Sequence, residues 1–186
     1  THDQSSAASD VYKRQTYYFL GAPNISNSTL LEIKERKQLV KQEQLKKIKK
    51  TKNDLKIINK MLQTDPQNLN LLLAKASMAA IIQDIETEIE TLKKIIKINP
   101  ITNVKSLLAQ AYLRKNDGIV NEFIKKLIDE VLFEKPKDPG ANFILAKYLN
   151  QNGNKNKSRN LLLKILKNLD DKGPWHQIYK DELNIK

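Results

Sequence analysis

Leu62-Gln63-Thr64-Asp65-Pro66 and Ile96-Lys97-Ile98-Asn99-Pro100 are two endings of one kind: a helix-patterned apolar segment, an Asp or Asn, then proline. The two prolines lie 34 residues apart, and Phe133-Glu134-Lys135-Pro136 ends a third such segment 36 residues later. Proline pushes the residue before it out of the α region, so each of these points closes a helix. Upstream of each, apolar residues recur at the three- and four-residue intervals of a buried helix face.

Working outward from these marks, the spacing predicts paired helices. Leu55, Ile58, Met61 and Leu62 lead into Pro66 as the second helix of a half-unit, with Asn53 as its N-cap and Asp54 in its first turn. The first full unit has helices over 69–82 and 85–98, with Ala76 and Ala80 small enough for close helix approach. The second has helices over 104–114 and 120–133, joined at the turn Asn116-Asp117-Gly118, which absorbs the two extra residues. The third follows Asp138-Pro139-Gly140, with helices over 141–151 and 157–169 around Asn152-Gly153-Asn154. Residues 175–183 predict a terminal helix that covers the last apolar face. A 34-residue helix-pair period closed by proline is the signature of the tetratricopeptide repeat (TPR). The expected fold is all-α: a TPR-like α-α superhelix of about three helix pairs, with a preceding helix and a C-terminal capping helix.

The flanks differ from the repeats. Residues 1–15 have no periodicity and read as a non-native leader. Residues 16–52 read as a connector, broken by Gly21 and Pro23, followed by a charged and weakly amphipathic helix over 30–52. Asn24 and Asn27 stand in glycosylation-type triplets, which an Asn-rich chain produces by chance. The TPR-like domain is expected over 53–186.

Of the 186 residues, 40% are apolar and eleven are Gly or Pro, a folded rather than a disordered composition. Cysteine is absent, which excludes disulfides and thiolate chemistry. No apolar run reaches the roughly 20 residues that span a bilayer. The formal net charge of +12 is concentrated between residues 34 and 60. That balance admits a solvated lysine-rich surface, an acidic partner, an anionic membrane surface or nucleic acid. Nucleic acid fits least: the basic run has no aromatic for base stacking, and Arg36 is its one arginine.

Nothing in the chain assembles a catalytic or cofactor-binding motif. His176 reads as a surface or cap residue, and Glu86, Glu88 and Glu90 read as solvent-facing. There is no Gly-rich phosphate loop and no nucleophile–base signature, so neither an enzyme nor a metal or cofactor site is expected. Stacked helix pairs instead present a concave face built from the first helix of each pair, which suits a peptide. Counting from Leu69, Asn103 and Pro139, the groove-facing candidates are Asn70, Leu73 and Ser77; Leu107, Ala111 and Arg114; and Phe143, Lys147 and Asn150. Ala80, Val104 and Gly140 fall in the same frame. Arg114 and Lys147 would suit a peptide with an acidic group or terminal carboxylate.

Five stretches in order resemble one family. They are Tyr17-Tyr18-Phe19-Leu20-Gly21-Ala22-Pro23, the segment 57–66 ending at Pro66, the junction 134–143 around Asp138-Pro139-Gly140, the turn Gln151-Asn152-Gly153, and Gly173-Pro174-Trp175. Together they span residues 17–183 and are similar to the C-terminal periplasmic TPR domain of the CcmI/CycH family of c-type cytochrome biogenesis proteins. The chain departs from that family in using Ile, Lys and Asn where its members use Ala and Arg. The resemblance implies a module of the haem-lyase stage that binds apocytochrome c as a chaperone, chiefly through the client's C-terminal helix. It also implies other haem-lyase membrane components as partners, the periplasmic side of the bacterial inner membrane as location, and a membrane anchor in sequence N-terminal to residue 17. A general TPR interaction scaffold in envelope assembly or secretion is the other reading.

Overall fold

The computed structural model describes residues 30–185, with side chains from residue 35. The leader, the connector to residue 29 and the Tyr17–Pro23 stretch lie outside the described residues. The first helix, α1, runs unbroken over Leu30–Thr64. The separate helix start expected at Asn53 is not there. No Gly or Pro interrupts residues 30–64, and the segment is rich in Lys, Gln and Leu, which lose little freedom in a helix. The Thr51 hydroxyl donates to the Lys47 carbonyl at 2.9 Å, within the continuous helix. Asp65-Pro66 ends α1 where the sequence places the end.

Three helix hairpins follow. They are α2 (Leu69–Ile81) with α3 (Ile85–Ile98), α4 (Thr102–Lys115) with α5 (Glu122–Glu134), and α6 (Pro139–Gln151) with α7 (Lys155–Leu166). A last helix, α8, covers Pro174–Leu183. Each helix packs on its neighbours in sequence, and α4 also packs on α6. The protein is an all-α, TPR-like superhelix. Among the described residues no helix is long and apolar enough to cross a membrane.

Local chemistry sets the boundaries. Asn68, Asp84, Asn121 and Asp138 each accept a bond from the third following backbone N–H, capping α2, α3, α5 and α6. The hairpins turn through left-handed residues: Gln83 at φ 61°, Asp117 and Gly118 at 51° and 83°, and Gly153 at 77°. The loop between α4 and α5 is the longest of the three, and it carries the two extra residues of the second unit. That length delays α5 to Glu122, two residues after the expected start.

The core is continuous along the stack. Leu72, Ala76, Ile89, Leu92 and Ile95 meet Val104, Leu108 and Ala111 between the first two units. Ala109 and Leu113 turn to the other side of α4 and meet Ile124, Ile128, Val131, Ala141 and Ile144. So α4 is sandwiched between two cores, which explains why its alanines are fully buried. Ala79, rather than the expected Ala80, is the fully buried small residue of α2 beside Ala76.

At the far end α8 packs on α6 and α7, the place the first helix of a fourth unit would take. Pro174 opens α8 as Pro139 opens α6. Phe143, Leu162 and Ile165 are covered by Ile178, Tyr179 and Leu183. The Tyr179 hydroxyl donates to the Pro139 carbonyl at 2.7 Å, which ties the cap to the start of α6.

Candidate functional site

The first helices of the three pairs carry the positions that the repeat frame assigns to a peptide. On α4, core lies on both flanks of a stripe formed by Asn103, Leu107, Gln110 and Arg114 at helical spacing, while Lys105, Tyr112 and Lys115 keep some exposure elsewhere on the helix. On α2 the matching positions include Asn70 and Ser77, both exposed. On α6 the N-terminal half is buried from Gly140 to Ile144, and the face opens only at Lys147 and Asn150.

Of the candidates from sequence, Asn70, Ser77, Leu107 and Asn150 are exposed on this face. Leu107 is 42% exposed, unusual for a leucine in a well-packed helix, and it is the one large apolar side chain on the open stripe of α4. Leu73 is half-buried and packs against the first core. Ala111 and Val104 are not on the face at all. They are 0% and 2% exposed, packed against α2 and α3 residues. Phe143 is 1% exposed, enclosed by Trp175 and Tyr179 at centroid distances of 6.0 and 5.8 Å. Ala80 is half-buried, and Gly140 is covered by Gln110 and Ser106.

The misplacement on α4 has a simple source. The helix begins at Thr102, and its N-cap Ile101 makes no side-chain capping bond. Without a capping Asn, Asp, Ser or Thr the sequence carries no mark of the start. A count from Asn103 therefore misses Asn103 itself and Gln110. The signal that could have found them is the run of core residues on both sides of α4, which leaves this line between them.

The two cations expected to meet a carboxylate are both engaged within the protein. Arg114 Nη2 donates to both carboxylate oxygens of Glu88 at 2.5 and 2.6 Å. Glu88 is 5% exposed, not solvent-facing as its alternation with Glu86 and Glu90 suggested. Its place on α3, facing the next unit, buries it, and Arg114 neutralises it there. Lys147 Nζ donates to both oxygens of Glu182 on α8 at 2.9 and 2.8 Å, and lies 5.2 Å above the Phe143 ring. Apart from Leu107 and these engaged cations, the stripe is polar and uncharged.

Amide side chains dominate that stripe. Asn70, Asn103, Gln110 and Asn150 each carry donors and an acceptor, the complement of a peptide backbone. Asn103 already accepts a bond from Lys135 at 2.5 Å, and Gln110 donates to Ser106 at 3.3 Å. Ser106 in turn donates to Asp138, so the amides of α4 stand on a polar network that reaches the start of α6. A second surface feature, an open polar depression of about 250 Å³ between α1, α2 and α3, lies on another side of α2, lined by Asn59, Lys75, Glu90 and Lys94 among others. No protein-family model matches the sequence, and no curated protein matches it.

Proposed function

We propose that this chain is a peptide-holding module and that its client is apocytochrome c, held on the face of α2, α4 and α6 during haem attachment. The observation that carries the binding reading is Leu107: a 42% exposed leucine flanked by Asn103 and Gln110, at the centre of the open face. An amphipathic client helix would set one apolar side chain on Leu107 while the amides meet its polar flank. The client's identity rests on the family resemblance, and with it the haem-lyase partners and the periplasmic side of the inner membrane. A cysteine-free holder suits a client whose haem-binding motif carries thiols, because it cannot form mixed disulfides with them.

The test is fluorescence anisotropy with a labelled C-terminal helix peptide from a cognate apocytochrome c. Saturable binding is expected below ~100 µM, the range of weak peptide grooves. Leu107→Asp should weaken it about tenfold or more by placing a charge at the apolar contact. Absence of binding at ~100 µM, or a Leu107→Asp variant that binds as the parent does, overturns this reading.

The uncharged, amide-rich stripe favours a second reading, a general scaffold for extended segments in envelope assembly or secretion. In that case an unrelated extended peptide binds as tightly as the cytochrome helix, and Leu107→Asp matters less than Asn70→Ala with Asn103→Ala.

A further inference from the structure

The basic helix α1 takes no part in the inner face. Between residues 35 and 60 it carries ten Lys or Arg side chains against three acids, and all ten cations are exposed. The ion pairs among the described residues all lie in the stacked units, none in α1. Only one side of α1 is engaged: Thr51 is buried and Leu55, Ile58 and Leu62 are half-buried. About a third of a turn away from that side, Leu39, Lys46, Lys50, Ile57 and Met61 fall on one line, seven and four residues apart in turn. Leu39, Ile57 and Met61 there are 59%, 58% and 48% exposed. At 1.5 Å per residue α1 is about 30 Å longer than α2, the helix it packs against.

We propose that α1 docks lengthwise on an anionic phospholipid surface. The charge is spread along one continuous helix rather than gathered in a pocket, so its complement is an extended, laterally negative surface. Lysine stems can lie over the headgroups with their ammonium groups among the phosphates, while Leu39, Ile57 and Met61 reach the headgroup–acyl boundary. Nucleic acid is the poorer complement: the segment has one arginine and no aromatic, so it lacks both the forks and the stacking platforms that such ligands use. This inference stands apart from the client reading, because the surface involved is not the face of α2, α4 and α6.

The experiment is flotation of the full chain with vesicles of phosphatidylcholine alone or with about one third phosphatidylglycerol, at ~0.1 M salt and without peptide. Binding to the anionic vesicles is expected to be about tenfold or more stronger than to neutral ones, and to fall steeply by ~0.5 M salt. The combined variant Lys46→Gln, Lys49→Gln, Lys50→Gln and Lys60→Gln should lose about tenfold or more of that binding with unchanged helical circular dichroism. Leu39→Ser with Ile57→Ser should lose a smaller factor. Equal partition onto neutral and anionic vesicles, binding by the parent chain that ignores salt, or tighter binding to duplex DNA than to the anionic vesicles at the same salt each overturns the proposal.

Discussion

Glu88 and Arg114 join the first and second units through one guanidinium and one carboxylate, and the two partners are buried unequally: 6% of the Glu88 side chain is exposed against 24% of Arg114. Removing the arginine therefore strands a buried charge, whereas removing the glutamate leaves a cation that can turn to water. Arg114→Ala should cost about 3 kcal/mol of stability and Glu88→Ala about 1–2 kcal/mol, an ordering that urea denaturation can read. Gly140 is constrained in another way. A Cβ there would press into Gln110 Nε2 and lie 3.0 Å from Ser106 Oγ. Gly140→Val should destabilise by about 1–3 kcal/mol through overpacking, and Gln110→Ala in the same chain should recover part of it. Tyr179 adds a pH signature. Burial, reinforced by Asp138, holds its phenol well above the ordinary value. The folded state keeps the neutral form while the unfolded chain ionises above about pH 10, so stability is intact below that pH and falls as pH rises past it. Lys105 and Lys115, raised chiefly by hydrogen bonds to Glu130 and Glu86, act in the same direction. Thermal midpoints measured from about pH 8 to 11 should therefore decline more gently in Tyr179→Phe than in the parent.

Among the elements, helix ends tell most about how the repeats are set. Asp138 does two jobs: it caps α6 through the Ala141 N–H at 2.8 Å and accepts the Ser106 hydroxyl of α4 at 2.8 Å. Asn154 stands at the start of α7 and makes no side-chain capping bond. Asp138→Ala is expected to cost about 1–2 kcal/mol and Asn154→Ala close to zero, a contrast that chemical denaturation of the two variants would resolve. The extent of α1 follows the same logic in reverse. Asn53 followed by Asp54 has the chemistry of a helix start, yet a helix begins only where the chain upstream of it stops being helical. With no Gly or Pro nearby, the Lys-rich segment before Asn53 simply continues.

Taken whole, the molecule is a short one-dimensional stack in which each unit rests on the next, and α8 replaces a missing fourth unit. Truncation after residue 172 would uncover Phe143, Leu162 and Ile165. The expected result is loss of cooperative unfolding, with α6 and α7 exchanging amide hydrogens far faster than α3 and α4; uniform protection across the three units would contradict it. The helix pairs, the proline stops and the closing helix were all legible in the chain, because local backbone preferences and apolar periodicity are written residue by residue. The open face was legible only in part. Asn70, Ser77 and Leu107 could be placed by counting, but Ala111, Phe143 and Glu88 could not, since their burial comes from elements distant in sequence. Which helices flank α4, where α8 lies and which acid each cation reaches depend on contacts between residues tens of positions apart. The sequence alone therefore determined a solenoid of paired helices, and only tertiary packing decided that Arg114 and Lys147 are engaged by Glu88 and Glu182. That packing also decided that Leu107 stays 42% exposed among polar neighbours on α4, while Ala111 and Phe143 are buried.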